Sequence, residues 1–543
     1  METTGGRILR RWSSMDAEFL RHANVWRVCL ESTFPELADG LNGEQYDAQS
    51  AQNRKAENLD STGTDAARTL TSTILSGMTP ANSVWFGLDV GEESDEERRF
   101  LDGSAKRMWE AIHGSNFDAT KFDAVLFAVC AGWFVMYVDD DPETGELRFQ
   151  QWPIAQCRIA ASRQGGTVDT VYRRFKLTAE QAVAEYGDKV SEKVRSDAEL
   201  KPDTPHEFIH AIYPRTDYSP GRRMAKNLPV ASVHVECSSK EVVRESGYHE
   251  SPLVVPRWML LPNSAYAVGP VSAALPHIRE LNELLRLESA GLARAVAGVY
   301  VAEDDGVLNP RTVKVKGGSV IVANSVDSIK ELPSGADFNA AFSKAEVIRA
   351  EIRRIMMADQ LPPMEQSAKT ATEFHYRANM VRMLLGPVFG RFQSEDLSPM
   401  VERVFGLMYR RGRPELGGAP GPVLLDDAPE SLMGVPFRVR FQSPLARAQK
   451  LEDVNAMERL TMMAGTLAQI GKTGALDMLD EDEMLRAAGD ALGVPDKALR
   501  DEKQLAAHRE AQREAAAAQE QKAMQQHQQV AATDAMMQRA AAV

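Results

Sequence analysis

Residues 269–297 read GPVSAALPHIRELNELLRLESAGLARAVA, and residues 337–357 read DFNAAFSKAEVIRAEIRRIMM. In the first stretch, Ala274, Ile278, Leu281, Leu285 and Leu292 recur at helical spacing behind Pro270, a residue suited to the first turn of a helix. In the second, Phe338, Phe342, Ala345, Ile348, Ile352 and Ile355 share a face, and Glu346, Arg349, Glu351, Arg353 and Arg354 fill the rest. Short β-branched runs lie between them, at 299–302, 312–316 and 320–323. The whole predicts two long helices joined by a small strand-bearing insert. Immediately after comes Asp359-Gln360-Leu361-Pro362-Pro363-Met364-Glu365-Gln366-Ser367, where two prolines forbid continuous helix.

Upstream, a helix over 12–34 is marked by Trp12, Met15, Phe19, Ala23, Trp26 and Leu30. A polar loop is expected over 40–58, then a helix over 64–77 with Gly77 as its stop. The run from Trp133 to Val138, the turn cluster Asp139 to Gly145 and the run Leu147 to Trp152 predict a β-hairpin. A strand pair flanks Gln164-Gly165-Gly166, and Thr178 with Gln181 forms a capping box for a short helix closed by Gly187. Further strands are expected from Phe208 to Tyr213 and from Ser232 to Val235.

Downstream, Thr370-Ala371-Thr372-Glu373 is another capping box, opening a helical stretch toward Gly412 that Gly386-Pro387 and Ser398-Pro399 should kink. Residues 413–436 read as a Gly/Pro-rich linker and Phe437 to Phe441 as a strand. Ser443-Pro444 should cap a further helix, and Asp480 and Glu483 start one more. From Lys503 the chain is rich in Ala, Gln and Glu, helix-prone but with little to bury.

With 543 residues, the chain exceeds what one hydrophobic core supports. Its 43% hydrophobic and 26% charged residues are those of a folded protein, and no apolar run is long enough for a membrane helix. The basic start lacks the apolar core of a secretory signal. Cys29, Cys130, Cys157 and Cys237 are scattered, which suits isolated reduced thiols rather than a zinc knuckle or a disulfide framework. A net charge of -14 argues against tight grip on nucleic acid over the whole surface.

Two motifs invite chemistry. His206-Glu207-Phe208-Ile209-His210 matches the H-E-x-x-H zinc-hydrolase pattern, which works only on a helix that brings both imidazoles to one ion. Here Pro205 and Pro214 bracket a β-prone run, and in a strand positions i and i+4 lie roughly 13 Å apart. Gly471-Lys472-Thr473 resembles the end of a phosphate-binding loop, but the required earlier glycine position is Thr466, and the segment follows a helix. No catalytic residue, metal site or cofactor is therefore assigned. The Glu/Arg face of 337–357, like Lys314 and Lys316, reads first as solvated surface.

Seven phrases then fall in a recognisable order. They are Leu75-Ser76-Gly77-Met78-Thr79-Pro80 before Trp85-Phe86, His210-Ala211-Ile212-Tyr213-Pro214-Arg215, and Gly269-Pro270 with Ala274-Leu275-Pro276. Leu281-Asn282-Glu283-Leu284 follows, then Thr370-Ala371-Thr372-Glu373 with Leu384-Leu385-Gly386-Pro387-Val388. Last come Ser443-Pro444-Leu445-Ala446-Arg447-Ala448-Gln449 and Leu492-Gly493-Val494-Pro495. In this order the chain resembles the head-to-tail connector, or portal, family of short-tailed, podovirus-type phages. One departure is Tyr266-Ala267-Val268, where related chains often carry Gly and Arg after the Tyr.

The resemblance implies a helix-rich α+β protomer in a ring of about twelve at one capsid vertex, a closed head-to-tail arrangement. Its parts would be an α/β wing (1–265), stem helices (266–297 and 336–357) and a small β-containing clip (298–335). A tunnel loop (358–369, with Gln360, Leu361, Pro362, Pro363, Met364 and Glu365) and a further wing helix, linker and strand (370–442) would follow. Residues 443–502 would form a helical crown, and 503–543 a barrel helix or a disordered tail. It further implies double-stranded DNA in transit, with Arg349, Arg353, Arg354 and Lys369 near its path, and Lys314 and Lys316 facing the motor. The implied partners are the terminase large subunit, major capsid and scaffolding proteins, and tail adaptors. No membrane is implied, and assembly would take place in the host bacterial cytoplasm. The competing readings are a zinc-dependent hydrolase resting on the HEFIH segment and an internal capsid scaffold or core protein suggested by the tail.

Overall fold

The computed structural model describes residues 3–38, 41, 48–91, 94–141, 144–163, 165–218, 227–297, 300–302, 329–331, 338–358, 386, 388–432, 435–441, 454, 456–466, 479–492, 505 and 507–513. The chain divides into two compact units, 1–91 with 100–445, and 92–99 with 446–543.

The first unit opens with α1 (Thr4–Glu31), α2 (Ala48–Glu57), α3 (Thr62–Met78), β1 (Phe86–Asp89), α4 (Asp95–Gly114, of which 95–99 count with the second unit) and α5 (Phe117–Ala131). The hairpin β2 (Val135–Asp140) and β3 (Leu147–Trp152) follows, then β4 (Cys157–Ala160), β5 (Thr170–Thr178), α6 (Ala179–Tyr186), α7 (Glu192–Leu200), β6 (Pro205–Pro214), β7 (Val230–Glu236) and β8 (Val242–Tyr248). Short strands β9 (Leu253–Val254), β10 (Met259–Leu260) and β11 (Ala267–Val268) lead to α8 (Pro270–Ala297). Next come β12 (Tyr300–Ala302), β13 (Ile329–Glu331) and α9 (Phe338–Ile355). A helix, α10 (388–392), runs through a wide π-turn (Gln393–Leu397) into α11 (Ser398–Arg410), and β14 (Arg438–Phe441) pairs back on β1. The architecture is the expected helix-rich α+β.

Two cores result. An antiparallel sheet in the order β4-β5-β6-β7-β8 carries α1 on one face, where Ile8, Trp12 and Met15 meet Ile209, Ala211 and Val233. On its other face α6 and α7 bury Tyr186 and Val194 against Phe208 and Val243. Alternation along a strand supplies the two faces. The larger core gathers α3, α5, α8, α9 and α11 around the sheet β3-β2-β9. Its centre is α5, apolar nearly all round and buried through most of its length, as an interior helix must be. Beside it Phe19, Trp26, Trp133 and Tyr266 form a ring cluster, and the Trp26 indole donates to the Ala267 carbonyl at 3.0 Å.

Backbones also touch backbones here. Gly132 ends α5 at φ 93°, and a Cβ there would sit 2.2 Å from the Val268 carbonyl carbon. A Cβ on Gly269 would sit 2.2 Å from the Val129 oxygen. Only glycine permits this approach of α5 to the start of α8.

Among the described residues the expected elements recur, with α1 starting at Thr4 rather than near 12 and with three further differences. The strands expected at 312–316 and 320–323, the capping box at Thr370, Pro387 and the Ser443-Pro444 cap lie outside the described residues. The loop expected over 40–58 contains α2, which has helix formers but no apolar stripe to betray it. Gly77 lies inside α3; the helix stops at Thr79, held out of the α region (φ -131°, ψ 58°) by Pro80 behind it. The kink expected at Ser398-Pro399 is the π-turn: Pro399 has no N–H to return to Glu395, and the Ser398 N–H reaches back to Gln393. In the capping box, the Thr178 hydroxyl accepts from the Gln181 N–H and the Gln181 side chain from the Thr178 N–H.

The π-turn presents two buried carboxylates. Asp396 is met by the Lys121 ammonium of α5 at 2.5 Å, both side chains at most 3% exposed, and Glu395 by Arg257 at 2.6 Å. Burial pushes Lys121 down and Asp396 up, and each partner's charge opposes the shift of the other. Farther along, Arg403 donates to Asp139, Arg410 to Glu250 and Arg411 to Asp140.

The second unit contains α12 (456–466), α13 (Glu481–Leu492) and α14 (507–513). Val454 and Ala464 are buried. The Asp480 carboxylate caps α13 by accepting from the Asp482 and Glu483 amides, and Arg509 pairs with Asp482 at 2.6 Å.

Two outcomes follow from these buried polar groups. Lys121→Met, which strands Asp396, should lower unfolding stability by about 3–5 kcal/mol, and Lys121→Met with Asp396→Leu should recover most of it. Urea denaturation of the three proteins checks this.

The second outcome concerns pH. On β6 and β7, His210 and His234 stack at 3.9 Å, with His210 Nε2 2.9 Å from Ser232 Oγ and His234 Nδ1 2.9 Å from Tyr186 OH. Burial, then His234, Arg173 and Arg244 hold His210 far below the usual histidine range; burial and Arg244 bring His234 to about 3. Below pH about 6.5 the unfolded chain therefore binds protons that the folded chain refuses, so stability is complete above that pH and falls as pH drops, by up to about 1.4 kcal/mol per unit for each histidine. Denaturation midpoints at pH 7.5 and 5.0 should show this slope, and His210→Gln with His234→Gln should flatten it.

Candidate functional site

The helix pair α8–α9 is the site that the sequence singles out. It is rooted by apolar packing: Val271, Ala274, Ile278 and Leu281 of α8 and Ala345, Ile348, Ile352 and Met356 near α9 are buried in the core with α3 and α5. Lys344 reaches across to Glu280 at 3.2 Å.

Polar tethers fix the root. Asn282 Oδ1 accepts from the Leu59 and Asp60 amides at 2.9 and 3.3 Å. Asp60 in turn caps α3 through Thr62 (2.8 Å) and takes Arg349 at 2.9 Å. Burial would raise the Asp60 carboxyl, but hydrogen bonds from Thr62 and Arg349, with the Arg349 charge, hold it below the ordinary range. The contact from Asp60 raises Arg349 in turn.

Away from the root the apolar pattern runs on uncovered. Leu287 and Leu292 on α8 are 56% and 54% exposed, and Phe342 on α9 is 59% exposed. Leu292 and Phe342 thus belong to the expected stripes yet meet no core within the described chain. Among the described residues, the stripes are longer than what covers them.

Of the residues placed by sequence along the charged face, Arg349 is committed to Asp60 and Glu346, at 2.9 and 2.6 Å. Arg353 and Arg354 are exposed at the end of α9, and Arg354 pairs with Glu351 at 2.8 Å. Lys369, the segment Gln360, Leu361, Pro362, Pro363, Met364 and Glu365, and Lys314 and Lys316 lie outside the described residues, as does Gly471-Lys472-Thr473. The tethering pair Asp60 and Asn282 escaped the sequence reading; the Asp60-Ser61-Thr62 cap was the available signal.

The HEFIH segment lies in β6, as its β-prone composition indicates. His206 Nε2 sits 3.1 Å from Asp197, and His210 belongs to the stacked pair described above. Glu207, one residue out of step, projects to the opposite sheet face and pairs with Arg174. Base and imidazoles are on different faces, so the hydrolase reading has no assembled site.

The family profile of the bacteriophage head to tail connecting protein matches residues 6–499. The chain belongs to that family. The connector is 28% identical over 537 residues to the portal protein of Salmonella phage epsilon15, covering 94% of this chain and 91% of that one. It is 26% identical over 517 residues to the probable portal protein of Bordetella phage BPP-1, covering 90% and 87%. A solved neck of an empty GTA particle aligns at 12% identity and a TM-score of 0.33 over 79% of the connector and 94% of that chain, too slight a likeness to carry an argument. The connector is a structural protein of a phage, as the seven ordered phrases indicate. No described helix is long and apolar enough to cross a membrane.

Arg349→Ala should cost about 1–3 kcal/mol, the worth of hydrogen bonds to a charged partner, and should speed hydrogen exchange at the Leu59 to Thr62 amides. Arg353→Ala and Arg354→Ala should each stay within about 0.5 kcal/mol of the parent in thermal unfolding.

Proposed function

We propose that this chain is the portal subunit of a short-tailed phage. Copies close head to tail into a ring of about twelve at one capsid vertex, and DNA enters and leaves through its channel. The observation that carries the reading is the family match across 6–499, which takes in the helix pair and both units.

In this reading α8 and α9 are the stem, and the strands between them belong to the clip at 298–335. Residues 1–265, joined by 370–442, are the wing; 358–369 are the tunnel loop, 443–502 the crown and 503–543 its extension. A head-to-tail ring needs a face that is incomplete in the single subunit, and Leu292 and Phe342, the exposed members of the two apolar stripes, fit such a face. Arg353, Arg354 and Lys369 are assigned to the channel side, where mixed charge would give weak, sequence-blind contacts to passing DNA. Arg349 lies beside them but acts first as the tether to Asp60. Lys314 and Lys316 would face the terminase motor, and later the tail adaptors. Capsid and scaffolding proteins would surround the ring as it assembles in the host cytoplasm. As a conduit the chain needs no catalysis of its own.

Electron microscopy of the purified protein, with particle mass measured in parallel, tests the proposal. Rings with a DNA-wide hole are expected, and Phe342→Glu with Leu292→Glu should shift the population toward monomers. A parent protein that stays monomeric at every concentration and salt tested overturns the ring.

A further inference from the structure

The first unit has a half-open cleft of about 820 Å³ whose floor is aromatic. Phe437 meets Phe405 edge-on at 4.7 Å, and Phe405 stacks on Tyr409 at 5.5 Å and 6°. Phe405 and Tyr409 are one helical turn apart on α11, and Glu402 lies one turn before Phe405 on the same face. The apolar lining continues outward to Leu416 and Val435, 41% and 44% exposed, so the surface extends past the cleft mouth as a protein contact does.

Charge distinguishes the rim from the floor. The two cations lining the cleft are already neutralised within the chain, Arg410 by Glu250 and Arg413 by Asp427, each at 2.6 Å. Glu402 and Glu415 also line it, and no cation pairs with either among the described residues. Burial and the nearby Glu250 raise the Glu402 carboxyl, the response of a carboxylate short of a counter-charge. An aromatic floor with an uncompensated acidic rim fits one chemistry best: apolar side chains to cover the rings, and a guanidinium or ammonium to meet the carboxylates and lie over an aromatic face.

We propose that this cleft is a docking site for an apolar segment of another protein that carries an arginine or lysine beside its anchoring side chains.

The probe is a short fluorescein-labelled helical peptide with leucines at i, i+3, i+4 and i+7 and two flanking arginines; its counterpart carries glutamates in place of the arginines. Fluorescence anisotropy with the full chain should show the arginine peptide binding and the glutamate peptide not. Glu402→Lys with Glu415→Lys should weaken the arginine peptide about tenfold and admit the glutamate peptide. Asp188→Lys with Glu241→Lys makes the same charge change outside the cleft and should leave binding unaltered. Equal weakening by both pairs would reveal mere attraction to an acidic chain and overturn the site, as would failure of the arginine peptide to bind the parent. A change of particle mass in the cleft variants would overturn it too, since the surface would then join copies of this chain. Glu415, Asp188 and Glu241 are exposed and Glu402 lies in the cleft wall, and melting curves confirm that each variant is folded.

Discussion

Two neighbouring carboxylates on one turn of backbone, Glu395 and Asp396, determine how the first unit holds together. A buried charge is tolerable only with a partner in reach, and these two draw theirs from Arg257 and Lys121. The π-turn is what aims them. In a regular helix adjacent residues diverge by roughly 100°, and Pro399 removes the hydrogen bond that would enforce regularity there. Continuing down α11, Arg403, Arg410 and Arg411 repeat the arrangement against Asp139, Glu250 and Asp140. A sliding error of one residue would misplace every charge at once and leave buried charges without partners.

The same molecule leaves other faces unfinished. The root of the helix pair is over-determined, by four buried apolar residues on α8 and by the Asn282 and Arg349 tethers to the start of α3. Among the described residues, Leu292 and Phe342 on its outer turns stay uncovered. Rigid base and uncovered end make sense in a protomer completed by its neighbours, because a firmly held helix gives up little freedom when a second surface arrives.

Much of this was legible in the sequence. The α1 stripe, the β2–β3 hairpin, the Thr178 capping box and the strand character of the HEFIH segment all depend on neighbours within a few residues, where periodicity and propensity act. What escaped reading is long-range or unpatterned. Arg349 and Asp60 are 289 positions apart, and Lys121 and Asp396 are 275 apart. Nothing in a lysine or an arginine says whether it will be solvated or buried. The α9 charges illustrate the limit: the sequence placed Arg349, Arg353 and Arg354 on one charged face, and only the fold separates the tether from the exposed pair. The α2 helix was missed because it buries no stripe, so the pattern that reveals helices was absent.

The crossing of α5 and α8 has a bearing on how such a chain can diverge. At Gly132 and Gly269 the space for a first side-chain carbon is already filled by backbone of the other segment. Every amino-acid replacement at either codon adds that carbon, so no single coding change there is neutral unless two chain segments move apart together. Drift can rewrite the exposed residues around them, and these two positions stay closed to it.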